Sequence, residues 1–257
     1  MRVAYVDMVG GAAGDMLLGA WVDAGLDTRA LERALRSVVA EGWELVTERV
    51  ERRGIAATYL DLVIPGEDHH GHDEHGRHRH HAHRGHRLRD IVAIVERSGL
   101  TPRQIERASA IYRRLAAAEA RVQGEDVDEG LFHTVGQVDA ILDVAGTCVA
   151  LDLLEIDELY CSAFPTGRAS AQRHHGRHPN PSPATAELLQ GFPQRPVDVD
   201  SDLVTATGAA ILTTLVAAPG TSIDMTLERS GYGAGRSDFP FPNVTRVLIG
   251  TARAAGA

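Results

Sequence analysis

Apolar positions along this chain of 257 residues change their spacing repeatedly, and each change marks an element. Residues 2–7 alternate weakly and read as a first strand. They run into Met8-Val-Gly-Gly-Ala-Ala-Gly-Asp15, a glycine-rich turn, and then into a helix over 16–24. Asp27 is a cap for a second helix with apolar Leu31, Leu35 and Val38. Residues 43–52 and 56–64 read as a strand pair turning at Gly54. A helix over 88–98 ends at Gly99, and Thr101-Pro102 opens another through about Val122, with Gly124 behind it. Its apolar positions Ile105, Ala108, Ile111, Tyr112, Leu115 and Ala116 recur at helical spacing. A long apolar helix follows over 135–154, then a strand over 158–164 and a loop dense in Pro, Gly, His and Arg over 165–183. Short helices over 183–190 and 205–216 and strands over 222–229 and 244–250 complete the pattern. Strands alternating with helices predict an α/β fold, a mixed sheet packed with helices. No internal repeat is evident.

Between these elements lies a histidine tract. Nine of the thirteen histidines fall within residues 69–86: His69, His70, His72, His75, His78, His80, His81, His83 and His86. Pro65-Gly66 closes the preceding strand pair, so the tract reads as a long disordered surface loop. The expected organisation is one domain: an N-terminal α/β part over 1–64, the loop over 65–87, and a helical and α/β remainder over 88–257. Neutral imidazole is the commonest protein ligand for divalent transition metals, and nickel and zinc suit it. A flexible run of imidazoles gathers such ions without fixing one geometry. The bland reading is a solvated low-complexity insertion.

Composition narrows the setting. With 44 % hydrophobic and 24 % charged residues the chain is an ordinary globular protein. A net charge of −9 argues against general DNA or RNA binding. No run of eighteen apolar residues and no signal-like N-terminus is found, so the expectation is a cytoplasmic protein with no membrane partner. Cys148 and Cys161 sit in apolar surroundings and read as buried free thiols. All 26 basic residues are arginine, which excludes a P-loop lysine, a Schiff-base lysine and a lysine general base. Any phosphate must be held by arginine forks, backbone amides or a metal.

Four segments carry candidate chemistry. In Leu131-Phe-His133-Thr-Val-Gly136-Gln-Val-Asp139-Ala-Ile-Leu-Asp143, two aspartates four apart share one face of a largely apolar helix. Buried carboxylates are costly unless they bind a cation, pair with arginine or share a proton; the alternative is a solvated face with a histidine in its cap. Residues 172–185 hold His174, His175 and His178 with Arg173 and Arg177 in a proline-stiffened loop, where the arginines can clamp a phosphate or carboxylate. Thr205 and Thr207 enter a helix beside Gly208, either as an anion seat or as plain capping. The amides around Gly10, Gly11 and Gly14 lie at a helix start, a further anion seat. Gly231-Tyr-Gly-Ala-Gly235 permits close backbone approach or is only a flexible turn.

Taken together, Asp7, Gly14-Asp15-Met16-Leu-Leu-Gly19 and the 132–143 segment resemble the nickel-insertion proteins of lactate racemase maturation. So do His175-Gly-x-x-Pro179 through Thr185, Leu203-x-Thr205-x-Thr207-Gly, and Gly231-Tyr-Gly-Ala-Gly235 with Pro242-Asn243. An internal histidine-rich tract is typical of that family. The resemblance implies a nickel chelatase, of the lyase class. It would insert nickel into a pyridinium bis-thiocarboxylic acid mononucleotide to make the nickel-pincer nucleotide, using cytidine triphosphate with magnesium or manganese. The family pattern has histidine where Leu131 stands, glutamate where Thr134 stands, proline where Ala206 stands and usually glutamate where Asp202 stands. It also carries a further C-terminal domain, so a separate chain supplying that domain is an expected partner, as is a second copy of this chain.

The expected fixed site is His133, Asp139 and Asp143, acting as ligands and base, with His175 and Asp15. Arg173, Arg177, Thr205, Thr207 and the amides of Gly10, Gly11 and Gly14 would take the ligand's phosphate. Two other readings use the same residues: a nickel or zinc store without turnover, and a metal-dependent phosphohydrolase.

Overall fold

Short-range signals set the element boundaries in the computed structural model of this chain. It describes residues 1–64, 86–127, 131–132, 137–168, 171–173, 176–218, 220 and 222–253, with the backbone alone at 131–132, 171–173 and 176–178. The order begins β1 (Arg2–Asp7), α1 (Gly14–Asp23), α2 (Thr28–Val38), β2 (Glu44–Arg52), β3 (Ile55–Val63) and β4 (His86–Arg87). Then come α3 (Leu88–Glu96), α4 (Pro102–Gln123), β5 (Leu131–Phe132), α5 (Val138–Leu153), β6 (Glu158–Cys161) and β7 (Phe164–Thr166). The rest is β8 (Ala171–Arg173), β9 (Gly176–His178), α6 (Pro183–Leu188), β10 (Gln194–Pro196), α7 (Ala206–Leu215), β11 (Met225–Ala234) and β12 (Val244–Ala252).

Asp27 caps α2 as expected, its Oδ1 accepting from the Arg29 amide at 2.8 Å and the Ala30 amide at 3.3 Å. At the start of α4 the caps are reciprocal. Thr101 Oγ1 accepts from the Gln104 amide at 3.3 Å, and Gln104 Oε1 accepts from the Thr101 amide at 2.9 Å. Gly124 closes the helix in the left-handed conformation at φ 71°. Thr101→Ala should therefore lower stability by about 1 kcal/mol, read as a shift of the urea midpoint. An unchanged midpoint would mean the cap contributes nothing.

Six strands form one mixed sheet in the order β2-β3-β11-β12-β1-β6. β12 is antiparallel to both β11 and β1, β1 is parallel to β6, and β2 and β3 form the expected hairpin. β3 meets β11 at one pair, Thr58 with Gly233. α1 lies directly on β3, β11 and β12; α5 packs behind it, with α2 and α4 on α5 and with α6 and α7 on α4. Val6, Leu17, Trp21, Leu31, Ile111, Leu142, Val247 and Ile249 belong to the core between these layers.

The contact of α1 with the sheet is made by backbone. A Cβ on Gly233 would stand 2.5 Å from the Ala20 nitrogen and still nearer the Met16 carbonyl; one on Gly231 would stand 2.8 Å from Ala24 Cβ, and one on Gly19 2.6 Å from the Thr58 carbonyl. This corrects the flexible-turn reading of Gly231–Gly235: Gly231 and Gly233 lie inside β11, where the missing side chains let the helix sit down.

Other boundaries differ for identifiable reasons. The strand expected over 158–164 stops at Cys161, where Ser162 Oγ takes the Met8 amide at 3.0 Å. Phe164–Thr166 turns away to pair with β10, and Pro165 has no donor for a continued ladder. α1 starts two residues earlier than its pattern suggests, at Gly14. α5 starts at Val138, and residues 133–136 lie outside the described residues, as does the tract over 65–85. Both cysteines are free and buried; burial pushes the Cys148 thiol up to about 12 and the Cys161 thiol up to about 11. Among the described residues no helix is long and apolar enough to cross a membrane.

Candidate functional site

Three segments are knitted together beyond the end of β1. The Gly10 amide donates to the Val244 carbonyl at 2.9 Å, and the Ala12 amide to the Leu203 carbonyl at 2.9 Å; the Thr205 amide returns to the Ala12 carbonyl at 3.1 Å. Gly11, at φ 148°, lies against the Leu203 carbonyl, where no side chain fits. A Cβ on Gly10 would stand 2.7 Å from Asn243 Cα. The Gly10 amide is thus engaged within the protein, and the glycines serve close packing. Thr205 Oγ1 accepts from the Gly208 amide at 3.1 Å, which is the capping arrangement, and Thr207 follows in the first turn of α7.

This knot fixes the start of α1, where carboxylates gather. Gly14 faces Asp143 of α5 so closely that a Cβ there would stand 2.5 Å from Asp143 Cβ. Asp15 follows, its Oδ1 accepting from the Met16 amide at 2.8 Å, and Asp139 Oδ1 accepts from the Ala140 amide at 2.7 Å. β3 contributes Asp61. Arg236 donates from Nη2 to both Asp61 oxygens at 3.2 and 3.3 Å, and from Nε to the Tyr59 hydroxyl at 3.0 Å. Behind Asp143, the buried Tyr112 hydroxyl donates to the Ala140 carbonyl at 2.9 Å.

The electrostatics follow from burial and like charge. Burial, with Asp15, Asp139 and Asp61 nearby, holds the Asp143 carboxyl well above the usual carboxylate range. Burial pushes Asp15 up to about 6, with Asp61 and Asp139 adding to the rise and the Met16 amide and Arg236 opposing it. Such acids favour protons or a cation. Among the described residues, no three His, Cys, Asp or Glu side chains form a ready-made metal cage.

Of the expected site, the structure brings Asp15, Asp139 and Asp143 together. His133, His175 and the tract histidines from His69 to His83 lie outside the described residues. His86, exposed, begins β4 and pairs with Phe132 of β5, the residue before His133. Arg173 and Arg177 belong to the β8–β9 hairpin, where Gln172 pairs with Arg177 and Arg173 with Gly176. Asp61, Tyr59, Arg236 and Tyr112 are additions. Asp61 and Tyr59 alternate on one side of a strand, a polar pair in an apolar run that signals a lined site.

The family model described as nickel insertion protein matches residues 4–256. The chain is 38 % identical over 247 residues to the pyridinium-3,5-bisthiocarboxylic acid mononucleotide nickel insertion protein of Staphylococcus epidermidis, covering 96 % of this chain and 59 % of that protein. It is 40 % identical over 250 residues to the protein of the same description from Desulfitobacterium hafniense, covering 97 % and 58 %. The chain spans about three fifths of the length of such relatives. No solved structure matches.

Proposed function

The chain belongs to the nickel insertion protein family, and from that premise we propose that it loads nickel into a pyridinium-3,5-bisthiocarboxylic acid mononucleotide. The observation that carries this reading is the pairing of His86 with Phe132. It joins the end of the imidazole tract to the segment leading through His133 into Asp139 and Asp143.

In this reading nickel is cargo. The tract from His69 to His86 gathers it, and His133, Asp139 and Asp143 receive it, with His175 and Asp15 completing the ligand set. Imidazoles are the softer partners nickel prefers; the carboxylates supply charge. Asp15 and Asp143 hold protons more tightly than ordinary aspartates, so an arriving divalent cation displaces them. Asp139, at the first turn of α5, is the base for protons leaving the organic ligand. The phosphate falls to Arg173 and Arg177.

Asp61, beside the nickel set, is a hard oxygen donor of the kind that suits magnesium or manganese, the ions the family resemblance pairs with cytidine triphosphate. When bound there, such an ion would offset the nucleotide's phosphate charge. Arg236, donating to Asp61, orients that carboxylate. Residence in the cytoplasm, self-association and a C-terminal partner domain belong to the same reading.

Nickel calorimetry on the intact chain, on a deletion of residues 66–87, and on that deletion with His133→Ala tests it. The expected outcome is one tight site surviving the deletion and vanishing with His133→Ala. Loss of all tight binding with the tract would make the protein a nickel store.

A further inference from the structure

The hairpin between β11 and β12 carries Asp238-Phe239-Pro240-Phe241-Pro242-Asn243, which no step above uses. The two phenyl rings lie 5.3 Å apart, tilted by 30°, and both are half-buried against the main core. The loop is clamped along its length. At its start Arg236 ties it to Asp61 and Tyr59 of β3. In its middle Arg53 Nε donates to the Phe239 carbonyl at 2.7 Å and its Nη2 pairs with Asp238 at 3.0 Å. Arg52 Nε donates to the Gly235 carbonyl at 2.9 Å, and Asn243 Nδ2 to the Ser237 carbonyl at 2.7 Å. At its end the loop abuts Gly10, in the knot that precedes Asp15. Arg53 itself sits at φ 51°, a conformation that costs a non-glycine residue free energy and that these contacts hold in place.

We propose that Phe239 and Phe241 form the stacking seat for the pyridinium ring of a mononucleotide substrate. This rests on the nickel-insertion reading for the substrate's identity. A ring nitrogen bonded to ribose makes pyridinium a delocalised cation. Such a cation is attracted by the negative face of a phenyl ring, and flat rings prefer offset stacking on it. Two prolines and three arginine clamps pre-organise the loop, which lowers the ordering cost of binding. Arg236 ties the start of the same loop to Asp61 and Tyr59, so the loop that carries the seat is anchored to the strand that lines the site.

The test uses the full chain and pyridinium-3,5-dicarboxylic acid mononucleotide, the oxygen analogue, with calorimetry as the readout. Phe239→Leu/Phe241→Leu keeps an apolar loop and removes the π faces; affinity should fall about tenfold. Phe239→Tyr keeps the face and should stay near wild type. A comparison needing no variant uses the same mononucleotide with its ring reduced to a neutral dihydropyridine, which the wild-type chain should bind about tenfold more weakly. Equal affinity in the double variant, or equal affinity for the cationic and neutral rings, overturns the seat and leaves nickel insertion standing. Failure of the wild-type chain to bind the mononucleotide overturns both.

Discussion

Gly233→Ala should destabilise the protein by about 3 kcal/mol or more, a large share of the 5–15 kcal/mol that holds a typical domain together. The added methyl would meet the Ala20 nitrogen at 2.5 Å and the Met16 carbonyl closer still. Both are helix backbone, which cannot turn aside as a side chain can. α1 would have to lift from β11, taking Trp21 and Leu17 out of register with the core. It would also drag Asp15 away from Asp143, so metal binding should fail with the fold. Gly42→Ala is the comparison: open space surrounds it, and only its φ of 86° resists a side chain, so about 1 kcal/mol is expected. Urea midpoints measure both. A Gly233→Ala protein as stable as Gly42→Ala would mean that α1 does not rest on β11 through bare backbone.

Asp15→Asn should stabilise the protein at pH 8 and weaken its divalent-metal binding at least tenfold. Burial lifts Asp15 to about 6, above the unfolded value near 3.9. The folded state therefore binds this proton more tightly than the unfolded state does. Its contribution to stability is fully present below about pH 4 and is lost as pH rises through about 6. A rise of about two units corresponds to roughly 2 to 3 kcal/mol. Asparagine keeps an oxygen for the Met16 amide and ends the titration. The variant should gain at pH 8 and gain nothing at pH 4, as thermal melts across that range will show. Asp143→Asn should behave alike, since burial and its acidic neighbours raise that group too. A variant less stable than wild type at pH 8 would mean that Asp15 is favourably paired in the native state.

Local signals in the sequence carried the fold a long way. Asp27, Thr101-Pro102 and Gly124 set helix ends because capping is a contact between residues three or four apart. The alternation over β2 and β3 predicted their hairpin for the same reason. The site was legible in part: Asp139 and Asp143 announce themselves as acids four apart on an apolar helix. Asp61 and Arg236 do not, because their roles arise only when β3 and β11 bring residues 175 positions apart together. The glycines of β11 were legible as a demand for close approach. What approaches them, the backbone of α1, is a tertiary fact. The same holds for Gly10, whose amide looks available in the sequence until β12 supplies the Val244 carbonyl.

The position of β1 in the sheet bears on how the chain comes to fold. β1 lies between β6 and β12, with Val6 opposite Val247. At translation rates of about 5–20 residues per second, β1 waits about 10 to 50 s on the ribosome for its antiparallel neighbour. Through that interval the apolar face of Ala4, Val6 and Met8 has no completed sheet to enter. The helical layer can form earlier from near neighbours, but the sheet cannot close until β12 emerges. The slow step of maturation is therefore the closing of the sheet around β1, which waits on the pairing most distant along the chain.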